Sequence, residues 1–271
     1  MSFILCCAAQ QSPPASGARI LLLPRKLVTG ERATLAVLDV SGKLTPAVNI
    51  TFSNGDKITT DATGRARFVA PLIAGTLSAS IEGRIGRVTS MILAPADVPS
   101  SSLEVTTVPQ VASLSDRMEI MGHGFCGDAD ANRVIIGGTP ALVLASSPAY
   151  LAVLPPDMDP GPATVQVQCG QKSSAPFTVV FINLELEAKT TILAPGEHRT
   201  LQVSITGSSN RISLEARNLA PEVADLTGGS KVRAVSTGGK ENVATFDLVG
   251  KQKGSFVISI RLLAPLGPPR P

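Results

Sequence analysis

Tryptophan is absent from this sequence, tyrosine occurs once, and aromatic side chains make up only 3% of its 271 residues, although 44% are apolar. Cores without large rings have to be filled by Val, Ile and Leu. Branched side chains fit a pleated strand better than a helix, so this scarcity points to β structure. Runs of about 18 apolar residues, which a membrane-spanning helix needs, are also missing. The 24 basic and 21 acidic residues are scattered singly and leave a net charge of +3. Without a Lys/Arg stripe to neutralise phosphates, or aromatics to stack on bases, nucleic acid is excluded as a partner. Only two histidines are present, one in each of two distant segments, and no pair of carboxylates is brought together by the pattern. That argues against acid–base catalysis, and the expectation is a chain that is not an enzyme and uses no cofactor.

What the sequence has is punctuation. Its 24 glycines and 21 prolines interrupt apolar segments of four to eight residues, a spacing that leaves no room for long helices. Alternating segments of this length, separated by turn signals, predict an all-β protein built as three tandem immunoglobulin-like β-sandwiches. The first covers residues 18–93, with Asn54-Gly55 as a hairpin signal. A Pro/Ser-rich linker follows at 94–107, then a second sandwich at 108–182, a third at 183–263 and a Pro-rich tail at 264–271 that is unable to form a core strand. The segment at 1–17 opens with an apolar run, Phe3-Ile4-Leu5-Cys6-Cys7-Ala8-Ala9. It reads as a signal remnant, a tail, or an anchor at Cys6 or Cys7. An internal echo links the outer units: Gly30-Glu31-Arg32-Ala33-Thr34-Leu35-Ala36-Val37 matches Gly196-Glu197-His198-Arg199-Thr200-Leu201-Gln202-Val203 at five positions. Each reads as the turn into an early core strand.

The middle unit carries four ordered landmarks. They are Val108-Pro109-Gln110-Val111, Met118 to Phe125, Asn132 to Ala141 (Asn-Arg-Val-Ile-Ile-Gly-Gly-Thr-Pro-Ala), and Leu151-Ala152-Val153-Leu154-Pro155. In this order they resemble an IPT/TIG domain, which implies an immunoglobulin-like sandwich. In the first unit, Thr60 to Phe68 (Thr-Asp-Ala-Thr-Gly-Arg-Ala-Arg-Phe) and Leu35 to Asp39 with Gly42 resemble a bacterial Big-1 or invasin-type domain. Such modules serve in surface, adhesive or enzyme-appended proteins, an implication from analogy and not from a site.

Three local patterns deserve chemical reading. Gly122-His123-Gly124-Phe125-Cys126-Gly127 is formally a dinucleotide fingerprint, but a strand and not a helix follows it, so the glycines are expected to bend the strand end over a buried Phe125. In a sandwich, the connection holding Cys126 shares a pole with the final hairpin holding Cys169. The two are expected to form a disulfide, in which case the compartment is oxidising; the alternative is two separately packed thiols. Asp128, Asp130 and Asn132 imitate the start of a calcium loop, yet Arg133 and Thr139 stand where Gly and Glu are required, so the expectation is no metal and a self-bonded surface loop. The functional expectation is a secreted or cell-surface, extracellular or periplasmic, structural or adhesive rod, with a protein or glycan at the cell surface as partner. The alternative is a carbohydrate-binding accessory module of an exported enzyme system.

Overall fold

The computed structural model describes residues 19–39, 41–97, 102–187, 192–208, 212–236, 241–263 and 266–270. The expectations about 1–17, including an anchor at Cys6 or Cys7, therefore lie outside the described residues. Apart from two single 3-10 turns, Pro95–Asp97 and Ala129–Ala131, every regular element among these residues is a strand.

The first sandwich comprises β1 (Arg19–Leu22), β2 (Lys26–Val28), β3 (Arg32–Asp39), β4 (Asn49–Phe52), β5 (Lys57–Thr59), β6 (Arg65–Val69), β7 (Gly75–Ile81) and β8 (Val88–Leu93). One sheet is β1-β3-β6 and the other is β2-β8-β7-β4-β5, with β2 parallel to β8. Period-two alternation turns Ala33, Leu35, Val37, Ile50, Phe52, Leu77 and Ala79 inward. Asn54-Gly55 does connect β4 to β5, but Gly55 alone takes a positive φ, 93°, because Gly55 N–H bonds Phe52 O and Phe52 N–H bonds Asp56 O around a longer loop. The Asp-x-Ser/Thr-Gly-Lys/Arg sequence occurs twice at one pole. Asp39 Oδ1 accepts from Ser41 and Lys43, and Asp61 Oδ1 accepts from Thr63 and Arg65, and these bonds, the hydroxyls first, hold both carboxyls below their ordinary pKa.

The second sandwich contains β9 (Glu104–Pro109), β10 (Val111–Ser113), β11 (Met118–His123), β12 (Asn132–Ile136), β13 (Thr139–Ser147), β14 (Tyr150–Leu154), β15 (Gly161–Cys169), β16 (Lys172–Ser173) and β17 (Phe177–Leu186). β9-β11-β14-β13 face β12-β15-β17-β10, and β10 is again the parallel strand, running beside β17. Residues 103–107, read in the sequence as linker, supply Leu103 and Val105 to this core.

The third sandwich adds β18 (His198–Thr206), β19 (Ser213–Asn218), β20 (Ala224–Leu226), β21 (Lys231–Arg233), β22 (Val235–Ser236), β23 (Glu241–Gly250) and β24 (Ile258–Leu262), and β25 (Leu266–Gly267) follows it to pair with β9 of the second. β18 and β23 pair over nine positions beside β17, opposite the sheet β21-β19-β24. The echoed octapeptides do the same thing in both units. Gly30 and Gly196 have φ of 71° and 82°. Gly30 N–H bonds Ala70 O while Ala70 N–H bonds Glu31 O; Gly196 N–H bonds Gly250 O while Gly250 N–H bonds Glu197 O.

The three cores are not separate packages in a row. On β3, Ala33, Leu35 and Val37 enter the first core, while Ala36 and Leu38 face the other way and join Leu22, Leu144, Ala145, Tyr150 and Ala152 in a fourth cluster. On β14, Leu151 and Val153 enter the second core and Tyr150 and Ala152 enter this shared cluster. The first two sandwiches thus pack sheet face on sheet face, where an end-to-end rod was expected; both outer faces are apolar and hide from water only against each other. β17 welds the next pair: Phe177, Val179 and Phe181 point into the second core, and Val180, Ile182, Leu184 and Leu186 point into the third. The boundary expected at 182/183 falls inside this single strand. The Pro-rich end also returns to the fold, since Leu266 and Gly267 pair with Pro109 and Val108, Thr178 N–H bonds Arg270 O, and Gln110 bonds Pro268 O.

Candidate functional site

The loop between β11 and β12 collects most of the residues singled out in the sequence, and it lies at the junction of the first two sandwiches. β11 ends where Gly122 passes β9: a Cβ there would lie 2.0 Å from Glu104 O. Gly124 turns at φ +77° against Ser102, carrying Phe125 into the core at 4% exposure. The fingerprint-like glycines serve close backbone approach, and a strand, β12, follows.

Cys126 and Cys169 form a disulfide with a Cα–Cα distance of 5.6 Å. Asn132 sits opposite Cys169 in the β12–β15 ladder, and its side chain braces the loop: Oδ1 accepts from Cys126 N–H, and Nδ2 donates to Cys126 O and Asp128 O. Asp128 caps the 3-10 turn by accepting from Asp130 N–H.

The loop then meets the first sandwich. Gly127 lies so close to β3 that a Cβ would stand 1.9 Å from Arg32 O. Its carbonyl accepts from Thr34 Oγ1 at 2.9 Å and Ser146 Oγ at 2.7 Å, and Ala129 N–H donates to Thr34 Oγ1. Arg65 and Arg67, on β6, reach the two acids. Arg65 Nη1 bonds Asp130 Oδ1 at 2.5 Å, and Arg67 Nε bonds Asp128 Oδ2 at 3.1 Å. Among Asp128, Asp130 and Asn132 the oxygens therefore do not converge on a cation position: two carboxylates face guanidinium groups and the amide oxygen faces a backbone N–H. No group of three or more His, Cys, Asp or Glu side chains among the described residues is arranged to hold a metal.

His123 is 8% exposed, with Nδ1 3.2 Å from Ser102 O and Nε2 3.2 Å from Glu104 Oε2. No acid beside it was legible in the sequence, because Glu104 arrives from β9, a strand that the pattern reads as linker. The Cys126 sulfur is committed to the disulfide, so the pair supplies no nucleophile and base.

On the other flank of the junction, Arg25 Nε bonds Glu119 Oε1 at 2.9 Å, and Ser147 Oγ donates to Lys26 O. Tyr150 is 3% exposed and lies near Glu119; burial first, then the Glu119 charge, pushes its phenol well above its ordinary pKa. Arg25, Glu119 and Tyr150 border a cleft of about 490 Å³ between the two sandwiches. Sequence reasoning missed Thr34, Arg65, Arg67, Glu119 and Tyr150 as junction residues. The one available signal was the unbroken apolar run on β3 and β14, the mark of a strand buried on both faces. Among the described rings, Phe52, Phe125, Phe177, Phe181, Phe246 and Tyr150 are buried and offer no sugar-stacking face, whereas Phe68 and Phe256 are half-buried.

Residues 103–181 match the model of the IPT/TIG domain, which confirms the reading of the middle unit. No curated protein matches the sequence. Among solved structures, domains 1–6 of the surface layer protein SbsC align at 14% identity and a TM-score of 0.24, covering 93% of this chain and 39% of that one. The Bacteroides ovatus protein SGBP-B of a mixed-linkage glucan utilization locus, solved with a mixed-linkage heptasaccharide, aligns at 13% identity and a TM-score of 0.32, covering 94% of this chain and 76% of that one. Immunoglobulin domains 1–5 of Sidekick-1 align at 12% identity and a TM-score of 0.26, covering 91% and 60%. This chain thus spans well under half the length of the SbsC fragment. Nothing about activity passes from these proteins to this one.

Proposed function

We propose that this chain is a secreted or cell-surface structural or adhesive module that works by presenting a rigid surface and does no chemistry. The observation that carries the reading is the Cys126–Cys169 bond at the foot of the loop joining the first two sandwiches. Such a crosslink persists outside the reducing cytosol, and here it stiffens a junction and activates no site. His123, held between Ser102 and Glu104, is likewise spent on anchoring β9 to β11. The first sandwich is read as a Big-1 or invasin-type domain, on the Asp61-Ala62-Thr63-Gly64-Arg65 turn. The partner is a protein or glycan at the cell surface. A carbohydrate accessory role is the weaker reading, since six of the eight described rings are buried, and a glycan array discriminates the two.

The test is made on source cells. Protease added to intact cells, or osmotic release of the periplasm, should remove or liberate the protein, and thiol labelling before reduction should leave Cys126 and Cys169 unmodified. Retention in the cytosolic fraction with both thiols labelled overturns the reading.

A further inference from the structure

The pole of the first sandwich where the chain enters at Arg19 carries an unusual surface. β7 and β8 are joined there by Glu82-Gly83-Arg84-Ile85-Gly86-Arg87, and two glycines with positive φ, Gly83 at 73° and Gly86 at 150°, lift Ile85 to the tip. Ile85 is fully exposed, and Ile20, beside it, is 39% exposed. Arg19, Ile20, Arg84, Ile85 and Arg87 line a shallow groove of about 700 Å³, every residue of which belongs to the first sandwich.

The charges at this pole are unequal. Glu82 is paired with Lys57 and bonded by Asn49, Asp39 and Asp61 are each hydrogen-bonded within their own turns, by Ser41 and Lys43 and by Thr63 and Arg65, and no carboxylate lines the groove itself. Neither Arg19 nor Arg87 has a carboxylate partner among the described residues. An apolar tip flanked by guanidinium groups suits a surface that is negatively charged outside and oily beneath. A soluble polyanion would satisfy the arginines and leave Ile85 in water.

From this geometry we infer that the Ile85 hairpin, with Arg19 and Arg87, docks the first sandwich onto an anionic lipid bilayer. Ile85 enters below the headgroups while the arginines bind lipid phosphates. The inference goes beyond surface display and can fail while that reading stands, since display requires no direct contact with lipid.

The full chain is mixed with phosphatidylcholine vesicles with and without about 30% phosphatidylglycerol. Co-sedimentation is expected only with the anionic vesicles, weakening as ionic strength rises from about 0.1 M to about 0.5 M. Ile85→Glu, and Arg19→Glu combined with Arg87→Glu, should each lower the partition coefficient roughly ten-fold or more. Ile192→Glu, at a residue 88% exposed in the third unit, should not. Unchanged thermal unfolding of each variant shows that the fold is intact. Binding indifferent to vesicle charge, binding unaffected by the Ile85 or arginine changes, or retention on heparin without vesicle binding each overturns the inference.

Discussion

Single atoms govern the junction at Gly127. A methyl group there would collide with the Arg32 carbonyl, backbone that has no rotamer to escape into. Gly127→Ala is expected to destabilise the protein by about 1–3 kcal/mol in denaturant unfolding, with the first sandwich detaching before the second melts. Arg65 and Asp130 are unequal partners: the Arg65 side chain is 8% exposed and its Nε has no hydrogen-bond partner, whereas Asp130 is 60% exposed. Asp130→Ala leaves a guanidinium stranded in the interface and should cost more than Arg65→Met, which removes the buried charge itself. A double-mutant cycle by equilibrium unfolding checks the order. Tyr150 offers a direct optical reading, since it is the chain's only tyrosine and there is no tryptophan to mask it. Its raised phenol pKa means that the unfolded chain ionises near pH 10 while the folded one does not, so the stability it contributes is present below that pH and lost as pH rises above it. Tyrosinate absorbance should therefore develop together with separation of the first two sandwiches, and a simple titration near 10 in the folded protein would contradict the burial.

At the scale of loops and strands, the Cys126–Cys169 bond closes a loop across 43 residues, a restriction worth about 4 kcal/mol by chain entropy. Cys126→Ser with Cys169→Ser, or reduction, should lower the denaturation midpoint accordingly, and a shift near zero would mean that β12 and β15 already hold the loop unaided. The two Asp turns of the first sandwich set its acid limit. Both carboxyls have folded pKa values below the ordinary carboxylate range, so their contribution is present above that range and is lost as pH falls through the lowered folded values. Asp61→Ala should thus destabilise the protein at neutral pH, with the gap from the parent chain narrowing in acid. These turns, the Gly30 and Gly196 echo and the fingerprint glycines were readable because each is a local constraint written in consecutive residues. β2, β10, β20 and β21 were not, since three residues carry too little alternation to be distinguished from a loop.

For the whole molecule, the decisive feature is strands buried on both faces. β3 and β14 clamp the first two sandwiches side by side, and β17 is held in common by the second and third. Small-angle scattering should give a shorter, thicker particle than three sandwiches placed end to end, and a maximum dimension matching such a row would refute the lateral packing. Removal of 264–271 takes away the Leu266–Pro109 and Gly267–Val108 pairing and the bonds to Gln110 and Thr178. The second unit, at its β9 and β17, should then become more susceptible to proteolysis while the first is unaffected.

By itself the sequence determined an all-β chain, its three cores and the turns between strands, because these follow from side-chain alternation and glycine placement; it put Cys126 and Cys169 at one pole but left open whether they bond, which the structure decided. Tertiary structure alone decided that Asp128 and Asp130 answer Arg65 and Arg67, that Glu104 meets His123, and that Tyr150 is shut between two sheets. Glu104 and His123 meet because β9 pairs with β11, a pairing that the sequence pattern did not show, while the other partners lie far apart along the chain and only the burial of two apolar sheet faces against one another brings them within bonding distance.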